Sequence, residues 1–199
     1  MSDAAEIESK FAVTDFVPVR LALTAAGGER LSRRFEENVV FDTPDGRLRR
    51  EDILLRLRRD GRGRVTLKLP AERADNPAIK IRREIETVVE DPAALEAVFT
   101  HLGYVPSLRY EKVRETWRLG AVLVCLDELP FGHFLEIEGA ATAIAAAAAS
   151  LGLSMDEATA KTYHALYQDH LAACGLPPAD SFVFAPETRQ ALLAALSDS

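Results

Sequence analysis

Glu6, Glu8 and Lys10 occupy alternate positions close to the N-terminus, the spacing that puts side chains on one face of an extended strand. The pattern recurs along the chain. Arg56 and Arg58 alternate with Leu55 and Leu57; Arg64, Thr66 and Lys68 with Val65, Leu67 and Leu69; Lys80, Arg82, Glu84 and Glu86 with Ile79, Ile81 and Ile85. Lys112 and Arg114 share a face, and Glu136 and Glu138 flank Ile137. Bases gather in the middle of the chain and acidic pairs in its first and last strands, whereas an ordinary solvated sheet face intersperses the two signs. Guanidinium groups grip phosphate oxygens through paired hydrogen bonds, and a polyphosphate carries several negative charges and chelates divalent metal. Paired glutamates suit Mg²⁺ or Mn²⁺, hard ions that prefer carboxylate and water oxygens. Together these residue types predict one site for a metal-bound polyphosphate.

The elements that must position them are strands for most of the chain. Eight are predicted, over 4–13, 34–41, 53–59, 64–69, 79–89, 108–119, 122–127 and 133–138. The Asp60-Gly61-Arg62-Gly63 turn marks a tight hairpin, and Gly120 and Gly132 punctuate two more, so the sheet is mainly antiparallel. Short helices connect strands over 17–26, ended by Gly27-Gly28, and over 92–102, with Asp91 as cap and Pro92 in the first turn. After Gly139 the composition turns helical: an Ala-rich stretch to Leu151, a helix over 155–174 capped by Ser154, and a short helix over 186–196 beyond Pro177-Pro178. If the strands close on themselves, the charged face lines the interior and helices cover the apolar face outside. The fold class read from this pattern is α+β, a closed eight-stranded antiparallel barrel with helices packed outside. Residues 1–175 form its body, and 176–199 extend the same domain.

Composition narrows the partners. A net charge of −7 over 199 residues argues against nucleic acid bound through overall charge, while the local basic centre suits a small anion. Cys125 and Cys174 lie far apart without CxxC spacing, and His101, His133, His164 and His170 have no mutual spacing that suggests a metal or catalytic set. Glu84 and Glu86 read as charge partners of the arginines. The chain opens without a signal-peptide pattern, and its longest apolar run, 140–149, is too short to span a bilayer; a cytoplasmic protein with no membrane partner is expected.

An ordered series of motifs carries a family resemblance. Glu6-Ile7-Glu8-Ser9-Lys10 is followed by Phe41-Asp42-Thr43-Pro44, Leu55-Arg56-Leu57-Arg58, Thr66-Leu67-Lys68 and Arg82-Arg83-Glu84. Later come Lys112-Val113-Arg114, Leu126-Asp127-Glu128-Leu129-Pro130, Gly132 to Gly139, and Lys161-Thr162-Tyr163. In this order they resemble the CYTH family, or triphosphate tunnel metalloenzymes, which includes thiamine triphosphatases, inorganic triphosphatases and class IV adenylate cyclases. The resemblance implies a tunnel in which Lys10, Arg56, Arg58, Lys68, Arg82, Lys112, Arg114 and Lys161 contact a triphosphate. It implies Mg²⁺ or Mn²⁺ held by Glu6, Glu8, Asp127, Glu136 and Glu138, and a catalytic centre built on Glu6, Glu8, Lys10, Arg56 and Arg58. The activity it implies is metal-dependent hydrolysis of a triphosphate. Alternatives are cyclisation of ATP with loss of pyrophosphate, and a non-catalytic polyphosphate-binding module. The family's cyclases carry a His-Phe pair ahead of the first motif, which this sequence lacks. Leu54 stands where mammalian-type thiamine triphosphatases place a thiamine-stacking Trp, which favours inorganic triphosphate or a nucleoside triphosphate. A homodimer is compatible with the family.

Overall fold

The computed structural model describes residues 4–70 and 77–197. Eight strands run through it: β1 (Ala4–Val13), β2 (Glu29–Asp42), β3 (Leu54–Arg59), β4 (Gly63–Pro70), β5 (Lys80–Val89), β6 (Val105–Leu119), β7 (Val122–Leu129) and β8 (Gly132–Glu138). Every pairing is antiparallel, in the order β1-β5-β4-β3-β2-β6-β7-β8, and β1 pairs with both β5 and β8, closing the sheet into a ring. Closure leaves no free sheet edge.

The elements follow from local chemistry. Helix α1 (Phe16–Ala25) starts where Asp15 accepts a hydrogen bond from the Val17 N–H at 2.9 Å. Helix α2 (Arg47–Arg50) is a single turn that the sequence pattern did not reveal. It exists because buried Asp42 accepts from the N–H groups of Thr43, Leu48 and Arg49, and these bonds hold the Asp42 carboxyl below its usual range despite burial. Helix α3 (Pro92–His101) has the expected Asp91 cap on Ala93 and Ala94.

The helix expected over 155–174 is divided. A 3-10 turn (Met155–Glu157) is capped by Ser154, residues 158–162 run extended, and helix α5 (Tyr163–Ala173) begins from its Thr162 cap. The break has a backbone cause. Strand β5 begins opposite Glu8, so Lys10 of β1 has one side open beyond it, and the Thr159 backbone fills that side with two hydrogen bonds of 3.1 and 2.8 Å. A ladder vacancy at a barrel rim outweighs the mild helical preference of Ala158 and Ala160.

Outward-facing residues build the main core. Phe11, Val124, Leu126, Leu135 and Ile137 pack under Phe16, Val19 and Leu23 of α1 and under Ile144 and Ala148 of α4 (Ala141–Ser150). Burying each large apolar side chain contributes roughly 1.5–3 kcal/mol, so the barrel wall is held from outside and its lumen is left for polar groups. Helix α6 (Pro186–Ser197) lies against β2 and β6, with Phe184 beside Phe35 and Val113, and Arg189 bonded to Glu37 at 2.5 Å and Glu111 at 2.9 Å. No helix among the described residues is long and apolar enough to cross a membrane.

The β3–β4 hairpin depends on Gly63. A Cβ there would lie 2.4 Å from both the Val89 carbonyl oxygen and Pro92 Cγ. Gly63→Ala is expected to destabilise the protein by about 1–3 kcal/mol through overpacking, read as a lower midpoint in chemical denaturation; an unchanged midpoint would show that the α3 end shifts freely.

Candidate functional site

The inward face of the barrel is ionic. A cavity of about 640 Å³ is lined by Glu6, Glu8 and Lys10 from β1, Arg56 and Arg58 from β3, Lys68 from β4, Arg82 from β5, Lys112 and Arg114 from β6, and Glu136 and Glu138 from β8. Period-two alternation in a closed sheet forces this arrangement, because neighbouring residues on each strand are committed to the outer core.

Its floor is a chain of ion pairs. Lys10 Nζ lies 2.6 Å from Glu8 and 2.9 Å from Glu136; Arg114 pairs with Glu136 and, at 2.5 Å, with Asp127; Lys112 lies 2.9 Å from Asp127. Across the lumen Lys68 pairs with Glu6 and, at 2.8 Å, with Glu84. Burial would raise the carboxyls of Glu8 and Glu136, but Lys10 and its neighbours more than offset it, holding Glu8 at about 2 and Glu136 well below its usual value. Glu6 is the opposite case: burial, reinforced by Glu8 and Glu84, pushes it up to about 7 despite Lys68. Burial also raises Glu138, with Glu8 and Glu136 adding to it. Glu138 has no ion pair among the described residues and would gain from a further cation.

The donor chemistry fits a hard divalent ion in part. Glu6, Glu8, Glu136 and Glu138 face one cavity, and Glu8 lies opposite Glu138 in the β1–β8 register. Among the described residues no three of His, Cys, Asp and Glu stand close enough to enclose a metal by themselves. An ion such as Mg²⁺ or Mn²⁺ here would be completed by water and ligand oxygens, as Mg²⁺ sites commonly are.

Two expected contacts are placed elsewhere. Asp127 is fully buried and does not line the cavity; it accepts from Lys112, Arg114 and, at 2.7 Å, the Tyr163 hydroxyl. Lys161 points outward, 54% exposed, and pairs with Asp169 at 2.6 Å. Its neighbour Tyr163 enters the barrel instead, its ring 5.3 Å from Lys10 Nζ and 5.2 Å from Lys112 Nζ. Residues 158–162 are extended, which turns Tyr163 inward and Lys161 away.

Other lining residues were not singled out from sequence. Lys80 and Arg64 share the parity of Arg82 and Lys68, so the signal was present. Tyr110 gave none, and neither did Glu36, which stands behind the cavity's cations without lining it, because an aromatic on β6 or an acid on β2 looks like any half-buried sheet residue. Tyr110 accepts from Arg56 at 3.1 Å, and Glu36 lies 3.3 Å from Arg58 and 3.6 Å from Lys112. Arg56 Nε is buried with no hydrogen-bond partner among the described residues, a donor left for an anion.

Burial would raise the Glu36 carboxyl, but Lys112 and Arg58 hold it at about 2. Between that value and its usual 4.5 the unfolded chain binds the extra proton, so this stabilisation, roughly 3 kcal/mol, is complete above about pH 4.5 and lost as pH falls through 2. Glu36→Gln should therefore lower the thermal midpoint most above pH 5, with the gap to wild type closing on acidification. A gap independent of pH would refute the assignment.

Residues 4–163 match the family model of the CYTH domain. The chain belongs to the CYTH family. CYTH proteins are enzymes that act on triphosphates. Among relatives of this CYTH chain, a Methanocaldococcus jannaschii protein named "Putative adenylate cyclase" is 33% identical over 137 residues, covering 67% of this chain and 75% of its own length. A solved Vibrio parahaemolyticus structure of the same name matches with a TM-score of 0.73 at 19% identity, over 86% of this chain and 99% of that one. The Hippeastrum protein HpAC1, named a "putative adenylyl cyclase" and described as having a dominant triphosphatase activity, matches with a TM-score of 0.62 at 17% identity, over 86% of this chain and 97% of that one. The last two likenesses concern the fold; the eight-stranded ring is the CYTH architecture.

Proposed function

We propose that this CYTH chain is a metal-dependent triphosphatase that binds the triphosphate of an inorganic, nucleoside or other organic substrate in the barrel and releases phosphate. The observation that carries the reading is the cavity inside the closed sheet into which acids and bases from separate strands converge. Cations so buried would repel one another without counter-charge, and in the structure they lean on the glutamates. A triphosphate would take over that role, releasing carboxylates to a metal.

In this reading Lys10, Arg56, Arg58, Lys68, Arg82, Lys112 and Arg114 bind and align the phosphate chain and stabilise charge on the transferred group and its leaving oxygen. Asp127 and Tyr163 hold Arg114 and Lys112 in position. Glu6, Glu8, Glu136 and Glu138 would hold Mg²⁺ or Mn²⁺, which, when bound, neutralises phosphate oxygens and lowers the pKa of water. Lys161 is left out of the phosphate-binding set.

A substrate panel tests the proposal. Purified protein with Mg²⁺ or Mn²⁺ is incubated with tripolyphosphate, ATP and thiamine triphosphate, and phosphate, pyrophosphate and cyclic AMP are followed. Phosphate release is expected. Cyclic AMP with pyrophosphate from ATP would replace the reading with a cyclase, and tight binding without turnover would replace it with a binding module.

A further inference from the structure

Strand β6 outruns β7. The two pair only from Val113 onward, so the β7 side of residues 108–112 is open, and the backbone groups along it need partners. The chain beyond α5 supplies them. The Phe182 N–H donates to the Arg109 carbonyl at 3.0 Å, the Glu111 N–H to the Phe182 carbonyl at 3.1 Å, and the Arg109 N–H to the Ser181 hydroxyl at 2.9 Å. The Glu111 carboxylate accepts from the Phe184 N–H at 3.0 Å. Asp180 lies 2.9 Å from His164 and 3.3 Å from Arg49, both of which line the cavity.

This docking sets the Phe182 ring against Tyr110. The rings stack with centroids 5.2 Å apart and planes 28° from parallel, and Phe182 is buried and lines the cavity. Phe131 and Tyr167 pack on it in turn, with centroids 5.3 and 5.0 Å away, so aromatic contacts hold the ring in place. Tyr110 accepts from one terminal nitrogen of Arg56 at 3.1 Å, and the Thr66 hydroxyl accepts from the other at 3.2 Å. These two bonds fix the plane of the guanidinium and leave its buried Nε without a partner among the described residues. A guanidinium meets phosphate through a rigid, directional set of N–H groups, so a plane fixed in advance lowers the cost of binding.

We propose that Phe182 is a positioning residue of the triphosphate site: by stacking on Tyr110 it sets the plane of Arg56. The segment after α5 then completes the phosphate grip without itself donating to phosphate. The proposal rests on the binding half of the triphosphatase reading, which puts phosphate on Arg56.

A double-mutant cycle with Phe182→Ala and Tyr110→Phe tests it, read by calorimetric titration of the full chain with tripolyphosphate and Mg²⁺. Tyr110→Phe keeps the ring but removes the acceptor of Arg56, and it should weaken binding roughly tenfold, the scale of one oriented hydrogen bond to a charged group. Phe182→Ala should weaken binding by a similar factor in the wild-type background and by less than about twofold in the Tyr110→Phe background, where its path to the ligand is already cut. Phe182→Leu keeps most of the apolar volume without the ring face, and it carries the same cycle, with a smaller first loss, if the Ala variant does not fold. Losses that multiply in the double variant, or wild-type affinity in the Phe182 variants, make Phe182 an ordinary core residue and overturn this proposal alone. Absence of binding by wild type overturns it together with the triphosphatase reading, whereas an intact cycle with no turnover overturns that reading alone.

Discussion

Glu8→Gln should lower metal-activated turnover of tripolyphosphate by roughly 100-fold or more while weakening substrate binding only modestly. Glu8 lies 2.6 Å from Lys10, 3.3 Å from Lys80 and opposite Glu138, and its cationic neighbours keep it ionised at about 2. Gln is nearly isosteric but carries no charge. Lys10 keeps Glu136 at 2.9 Å, so the barrel floor should survive the exchange. Even partners one step removed from a metal contribute about 10–100-fold to affinity or activity, and a direct carboxylate ligand at least as much. The diagnostic is a higher metal concentration for half-activation together with a lower plateau rate. A variant with wild-type metal dependence would remove Glu8 from the metal site.

Arg58→Ala is the second large effect, and its signature differs. Arg58 is buried against Glu36 at 3.3 Å and Asn38 at 3.3 Å and lines the cavity. Its guanidinium can meet phosphate in the ground state and in the transition state. The expected result is a raised KM and a lowered kcat, with kcat/KM down by roughly 10²–10³, the scale seen when one donor to a developing oxyanion is removed. Metal half-activation should move little. Arg58→Lys keeps the charge that Glu36 requires but loses the fork, so it separates folding from function: a stable Lys variant with wild-type kcat/KM would reduce Arg58 to a structural role. Together the two substitutions distinguish the acidic half of the site from the basic half.

The strands that carry these residues were legible because each has one face that must be apolar and one that cannot be. Leu55 and Leu57 around Arg56, or Ile81 beside Arg82, determine side-chain parity without any knowledge of partners. The same parity placed Lys80 and Arg64 on the ionic face. Single residues whose roles depend on a neighbour were not legible. The Asp42 cap is made with residues six and seven positions away, and Tyr163 is turned inward by a backbone bridge between Thr159 and Lys10, which are remote in the chain. Lys161 was not legible for the same reason: a motif gives residue type and order, whereas the extended chain before Tyr163 decides which side chain reaches the lumen.

By itself, then, the amino-acid order determined that alternating ionic faces must share an enclosed space beneath an apolar outer layer, since period-two patterning and the desolvation of charge act locally on each strand. Tertiary structure alone decided which opposite charges meet, that Asp127 joins Lys112, Arg114 and Tyr163 in one buried cluster, and that Lys161 points away from the lumen. Those outcomes depend on register between strands far apart in sequence, and a one-residue shift in any ladder would have paired a different set.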